Sequence, residues 1–203
     1  MPKKKRGYKK GEQHKDARLF VIVAEGERED AYFKWFHEKN LRISVEIVMR
    51  EENKSAPKHF LERLDKYIDS TGWREKDGDL VWFVLDVDRW ERKEIEDLRI
   101  HCEQKNNWNI AISNPCFEVW VIFHLQKEIE DKGEMPKDLK HLIPQLIQGG
   151  FNLENICPLI ETATENAKNA DANSAHHFPY RMKTKVYQLA EQMLELLGKN
   201  WQT

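Results

Sequence analysis

Residues 80–88 read Leu80-Val81-Trp82-Phe83-Val84-Leu85-Asp86-Val87-Asp88. Six apolar residues run without interruption into two carboxylates one residue apart. A continuous apolar run suits a strand covered on both faces, as in a parallel sheet, rather than one with a wet face. The turn residues Asp77-Gly78-Asp79 set its start. Upstream, Leu19-Phe20-Val21-Ile22-Val23-Ala24 is a run of the same kind and ends in Glu25-Gly26-Glu27. Between the two, the spacing predicts a helix over 29–39 with Tyr32, Phe33 and Phe36 on one face. A strand from Ile43 to Met49 and a second helix within 57–70, carrying Phe60, Leu61, Leu64 and Ile68, follow. Downstream come a helix near 93–105, a strand over 109–112, and Ser113-Asn114-Pro115 opening a further helix.

Strand and helix alternate through this whole stretch, which is the pattern of a parallel sheet flanked by helices. The fold class is therefore α/β, with about four strands. Residues 136–197 show no convincing strand and read as helical, broken at Gly149-Gly150 and Pro158. The last amphipathic helix carries Val186, Leu189, Ala190, Met193, Leu194 and Leu197. The expected organisation is a basic arm over 1–18, an α/β core over 19–127, and a helical region over 128–203 packed on that core.

A chain of 203 residues with 40% hydrophobic and 33% charged residues can bury one substantial core. Its longest apolar runs, Leu80 to Leu85 and Val119 to Phe123, fall far short of the roughly 20 residues of a membrane span. The amino terminus carries charge where a signal core would be apolar. Cys102, Cys116 and Cys157 form no CxxC pair, which suits a reducing compartment and argues against structural zinc. A cytoplasmic location is expected. The net charge of −2 conceals an asymmetry: residues 1–18 hold eight Lys or Arg against Glu12 and Asp16, leaving the body acidic. The arm is either an electrostatic tether for nucleic acid or a solvated tail.

The acids at the two strand ends carry the chemistry. If the strands that end in Glu25 and Asp86 are neighbours, Glu25, Glu29, Asp86 and Asp88 converge beyond the carboxyl ends of the sheet, where open α/β folds bind ligands. Clustered carboxylates repel unless a hard cation or a shared proton neutralises them. Oxygen-only ligation favours Mg2+ or Mn2+ over zinc. Such ions serve phosphodiester cleavage and transfer. The competing reading makes these acids helix caps, and Asp88 taken alone fits a cap better.

The motifs together resemble a known family. Val23-Ala24-Glu25-Gly26-Glu27 with Glu29 and Tyr32-Phe33, then Phe83-Val84-Leu85-Asp86-Val87-Asp88-Arg89, look like the Toprim domain of topoisomerases, primases and OLD-type nucleases. Adding Ser113-Asn114-Pro115-Cys116-Phe117-Glu118-Val119-Trp120 with His124, and Lys183-Thr184-Lys185-Val186-Tyr187, the sequence resembles the RloB-like family of phage-defence (abortive infection) proteins. Arg28 stands where that family commonly has Thr. The resemblance implies a Toprim-like sheet, Glu25 as general acid or base, Asp86 and Asp88 as metal ligands, and Glu29 as an additional one. It also implies a metal-dependent nuclease acting on RNA, tRNA among the candidates, in anti-phage defence.

Several other residues have two readings. Asn114-Pro115 fits a helix cap followed by proline at the first helical position. Glu118 sits in a nearly all-apolar helix, so it needs a cation, a metal or exposure at the first turn. Asn114 and Glu118 are thus candidates to support the acids from behind. His124 reads as a satisfied core histidine, and His176-His177 as surface residues or a substrate contact. Arg89 follows the DxD directly and suits a phosphate or a salt bridge. Arg181, Lys183 and Lys185, at the start of the last helix, suit phosphate contacts, because cations there are locally unfavourable without an anion. Nucleic acid is the expected partner, RNA favoured over DNA, with no membrane. Partner defence proteins and a homodimer stay open. The alternatives to a nuclease are DNA nicking or nucleotidyl transfer, and a non-catalytic nucleic-acid-binding subunit.

Overall fold

The computed structural model describes residues 17–37, 39–50, 56–76, 78–88, 90–198 and 201. The basic arm up to residue 16 and Arg89 lie outside these residues. Strands β1 (Arg18–Ala24), β2 (Ile43–Ile47), β3 (Leu80–Asp86), β4 (Trp108–Asn114) and β5 (Lys183–Thr184) form one sheet in the order β2-β1-β3-β4-β5. The first four are parallel, and β5 runs antiparallel to β4. The helices are α1 (Glu27–Lys34), α2 (Phe60–Thr71), α3 (Arg92–Glu103), α4 (Glu118–Phe123), α5 (Pro136–Leu146), α6 (Leu153–Ile156), α7 (Ile160–Ala170) and α8 (Val186–Leu197).

The apolar strands are explained by what covers them. Alternate residues of β1 and β3 point to opposite faces. Val21, Val23, Phe83 and Leu85 pack with Phe60 and Leu64 of α2 and with Ile95 and Leu98 of α3. Phe20, Ile22, Ala24, Trp82 and Val84 share the other face with Tyr32 and Phe33 of α1, Trp120 of α4 and Leu189 and Met193 of α8. Each such side chain contributes roughly 1.5–3 kcal/mol on burial. α2 ends where the spacing stops: Gly72 turns left-handed (φ +65°) and its N–H caps the Ile68 carbonyl at 2.9 Å.

The chain runs from β1 outward to β2, then crosses back over β1 to β3 and on to β4. The strand order therefore reverses between β1 and β3. Phe20 pairs with Leu80 and Ala24 with Val84, so the two strands end side by side with their acids at the crevice.

Two expectations are corrected. The carboxyl-terminal region contains a strand, β5, too short at two residues for any periodicity to reveal. Asn114 and Pro115 do not open α4. Asn114 still belongs to β4, paired with Lys183, the Asn114–Pro115 peptide is cis, and the helix starts at Glu118.

Candidate metal centre

Glu25 is the first residue past β1, and its N–H continues the ladder to the Val84 carbonyl at 3.1 Å. Its Oε2 accepts the backbone N–H of Asp86 at 3.2 Å and the indole N–H of Trp90 at 2.7 Å. The carboxylate is thus oriented by the end of β3 and by the loop that follows it. Glu25, Asp86 and Asp88 each present an oxygen atom, and the three lie within 4.8 Å of one another. Among the described residues, the N-cap position of α3 belongs to Glu91 and not to Asp88, and the Asp88 N–H donates to the Pro115 carbonyl at 3.2 Å. Oxygens on opposite sides of a cation held at about 2.1 Å are about 4.2 Å apart, so a small adjustment closes this set on Mg2+ or Mn2+.

Glu29 lies beside this group, buried in the first turn of α1. A Cβ added at Gly26 would stand 2.5 Å from Glu29 Oε2, so only glycine lets that carboxylate fold back over the chain. Burial, reinforced by the charges of Glu25, Glu118 and Asp30, pushes the Glu29 carboxyl up to about 7. Asp86 is also held well above the usual carboxylate range, by burial first and then by Glu29, Glu25, Glu118 and Asp88. Glu25, Glu29, Asp86 and Glu118 line one cavity of about 270 Å³ together with Arg28 and Lys140. An excess of acid of this kind suits a cation.

Glu118 answers its burial with a cation. Arg28 Nη1 lies 2.5 Å from Glu118 Oε1, with the two side chains 38% and 3% exposed, and the guanidinium stacks 5.4 Å over the Phe151 ring. Below the site, buried Arg63 donates to the carbonyls of Ala24 and Val48, each at 2.9 Å, and of Met49 at 3.4 Å, closing the ends of β1 and β2.

The basic candidates fare differently. Lys185 is withdrawn from phosphate contact. It is wholly buried, its Nζ on Asp171 and the Asn173 carbonyl, and it sits outside the acid cavity. The reason is local: α8 begins inside the core, and Asp171 supplies the anion that a cation at that helix start requires. Arg181 is committed to Asp131 at 2.8 Å and to the Glu134 carbonyl, and half-buried Lys183 lies in β5. Asn114 donates to the Pro179 carbonyl at 3.0 Å, so it anchors a loop rather than an acid. His124 is buried between Trp120 and Tyr32.

Trp90, Arg28 and Lys140 were not legible as site residues. Arg28 had a signal, since an acid in an apolar helix demands a cation from somewhere. Trp90 and Lys140 had none beyond position.

The family model for RloB-like protein matches residues 20–193. The chain belongs to that family. The match takes in β1 through most of α8, so the RloB-like unit includes both the acidic site and the helical region packed on it. No curated protein and no solved structure matches the chain. Among the described residues, no helix is long and apolar enough to cross a membrane, and all three cysteines are free and buried.

Proposed function

We propose that this RloB-like protein is a divalent-metal-dependent nuclease. One observation carries the reading: Glu25, Asp86 and Asp88 bring three oxygens within 4.8 Å at the point where the strand order reverses. These three residues would hold the ion, with Glu29 adjoining them. Bound Mg2+ or Mn2+ supplies charge neutralisation at the phosphate and lowers the pKa of an attacking water. Trp90 and the Asp86 N–H fix the angle of the Glu25 carboxylate before substrate arrives, which is the preorganisation that cleavage needs. In the metal-free site burial holds the Glu29 carboxyl at about 7, and a bound cation would lower it, so Glu29 would give up its proton as the ion enters.

The likeness to Toprim enzymes, the preference for RNA with tRNA among the substrates, and a role in anti-phage defence rest on the family resemblance. The test is to incubate the pure protein with Mg2+, with Mn2+ and with EDTA, separately on tRNA, single-stranded RNA and plasmid DNA. Cleavage that requires metal and falls at least ~100-fold in both Glu25→Gln and Asp86→Asn is expected. Metal-independent cleavage, or wild-type turnover in either variant, overturns the assignment.

A further inference from the structure

A second cavity, about 630 Å³ in volume, lies between the first turns of α3 and the segment 176–178. Its helix side presents Arg92 and Lys93 at the first two positions of α3. Cations are disfavoured at a helix amino terminus, because the helix dipole already places positive charge there. Among the described residues, neither Arg92 nor Lys93 lies within ion-pair distance of a carboxylate, whereas Arg99, one turn on, is taken up by Glu96 and Glu103. Glu94 stands in the same first turn, and Glu96 lines the cavity, where it draws on Arg92 and lies 3.6 Å from His177 Nε2. Arg92, Lys93 and Arg99 still outnumber Glu96 on the cavity wall, which leaves a place for an anion.

The facing wall is aromatic. The rings of His176 and His177 stack at 5.1 Å between centroids and 18° between planes, and Phe178 stands 5.5 Å from His177. The Arg92 guanidinium covers the Phe178 ring at 4.6 Å, joining the two walls. His176 is exposed and forms the open end of the stack. A π-surface next to paired cations matches a nucleotide unit, base against the rings and phosphate against Arg92 and Lys93.

The cavity and the acidic site lie at the same end of β3, which α3 follows directly. Arg92 follows Asp86 by six positions, so their Cα atoms are at most about 22 Å apart. The aromatic segment is tied to the same end of the sheet, because Asn114 donates to the Pro179 carbonyl at 3.0 Å and the adjoining Ser113 pairs with Asp86.

We infer that this cavity binds one unstacked nucleotide of the nucleic-acid strand whose phosphodiester lies at Glu25, Asp86 and Asp88, a subsite that rests on the nuclease reading above. Stacking requires a base free of its duplex partner, so the strand is single-stranded at this point. The test is fluorescence anisotropy in EDTA with labelled 12-nucleotide oligo-U and oligo-dT, and with a 12-base-pair RNA duplex. His176→Ala/His177→Ala should weaken binding of a single strand ~10-fold, and His176→Phe/His177→Phe should restore it. Arg92→Ala/Lys93→Ala should lower the slope of log affinity against log salt by about 1.4, as expected for two lost phosphate contacts on a single strand. The control Lys132→Ala/Lys168→Ala removes the same charge elsewhere and should leave binding within twofold of wild type.

The inference is overturned if the wild type binds none of the probes, if it prefers the duplex, or if the paired variants bind as the control does. Its failure is separable from that of the nuclease reading. Metal-dependent cleavage with unchanged binding in the variants removes the subsite alone. Weakened binding in the variants, with no cleavage of any nucleic acid by the wild type, leaves the subsite and removes the nuclease.

Discussion

The backbone N–H of Asp86 donates to Glu25 Oε2 at 3.2 Å, so the end of β3 orients the acid that ends β1. The two carboxylates, with oxygens within 4.8 Å of each other, repel, and burial makes the repulsion worse. Removing the Asp86 charge with Asp86→Asn keeps the backbone donor. The variant should melt in EDTA at the wild-type temperature or above it. Millimolar Mg2+ should raise the wild-type melting temperature, by about 2.7 kcal/mol of stability at a hundredfold excess over Kd, and Asp86→Asn should lose most of that gain. A variant that melts lower in EDTA and gains as much from metal as the wild type would make Asp86 a structural residue.

Arg28 and Glu118 form a testable pair. Arg28→Met leaves Glu118 buried without its cation, at a cost of about 1–3 kcal/mol. Glu118→Gln in that background should recover most of the loss, because the uncompensated charge is then gone. Urea unfolding of the two single variants and the double variant measures the coupling. Equal stability of Arg28→Met and the double variant would show that Glu118 carries no charge in the fold.

His124 makes the fold sensitive to acid. The Trp120 carbonyl accepts from Nδ1–H at 3.0 Å, so Nε2 is the acceptor for the Tyr32 hydroxyl at 2.9 Å. Burial pushes the imidazole down to about 4, below the ordinary value of about 6.5 in the unfolded chain. The unfolded state therefore takes the proton first as pH falls. The stability contribution is complete above about 6.5 and is lost between there and 4, on the order of 3 kcal/mol in all. Unfolding free energies from pH 7.5 to 4.5 should fall less steeply in His124→Gln than in the wild type. Parallel curves would refute the assignment.

Arg63→Met should cost about 3 kcal/mol or more, since it strands the carbonyls of Ala24, Val48 and Met49 together. Ala24 directly precedes Glu25, so the variant should also lose metal-induced stabilisation under conditions where it remains folded. Denaturant midpoints with and without Mg2+ check both effects. Full metal response in a folded Arg63→Met would mean that Glu25 keeps its place without the clamp.

The strands that carry the site were legible because burial on both faces leaves an unbroken apolar run, and Glu25, Asp86 and Asp88 could be placed at their ends. What the sequence withheld is long-range. Trp90 matters through a contact with Glu25 that only pairing of β1 with β3 creates. Lys185 looked like a free cation because its anion, Asp171, lies 14 positions away across a loop. The strand β5 has two residues, and a period cannot be read from two points. Asn114 fits a helix cap by type, but antiparallel pairing with Lys183 holds it in the sheet.

The layer that α1 shares with α4, α7 and α8 has a consequence for how the molecule can be cut. Phe20, Ile22 and Trp82, on the strands that carry the acids, rest against side chains from the last third of the chain. A fragment ending near residue 127 would leave that face of the sheet wet and β4 without its antiparallel neighbour, and it should aggregate when expressed alone. The acidic centre is therefore not a portable cassette. Whatever reshapes the carboxyl-terminal helices, by insertion, fusion or drift in sequence, reaches the strands that aim Glu25 and Asp86.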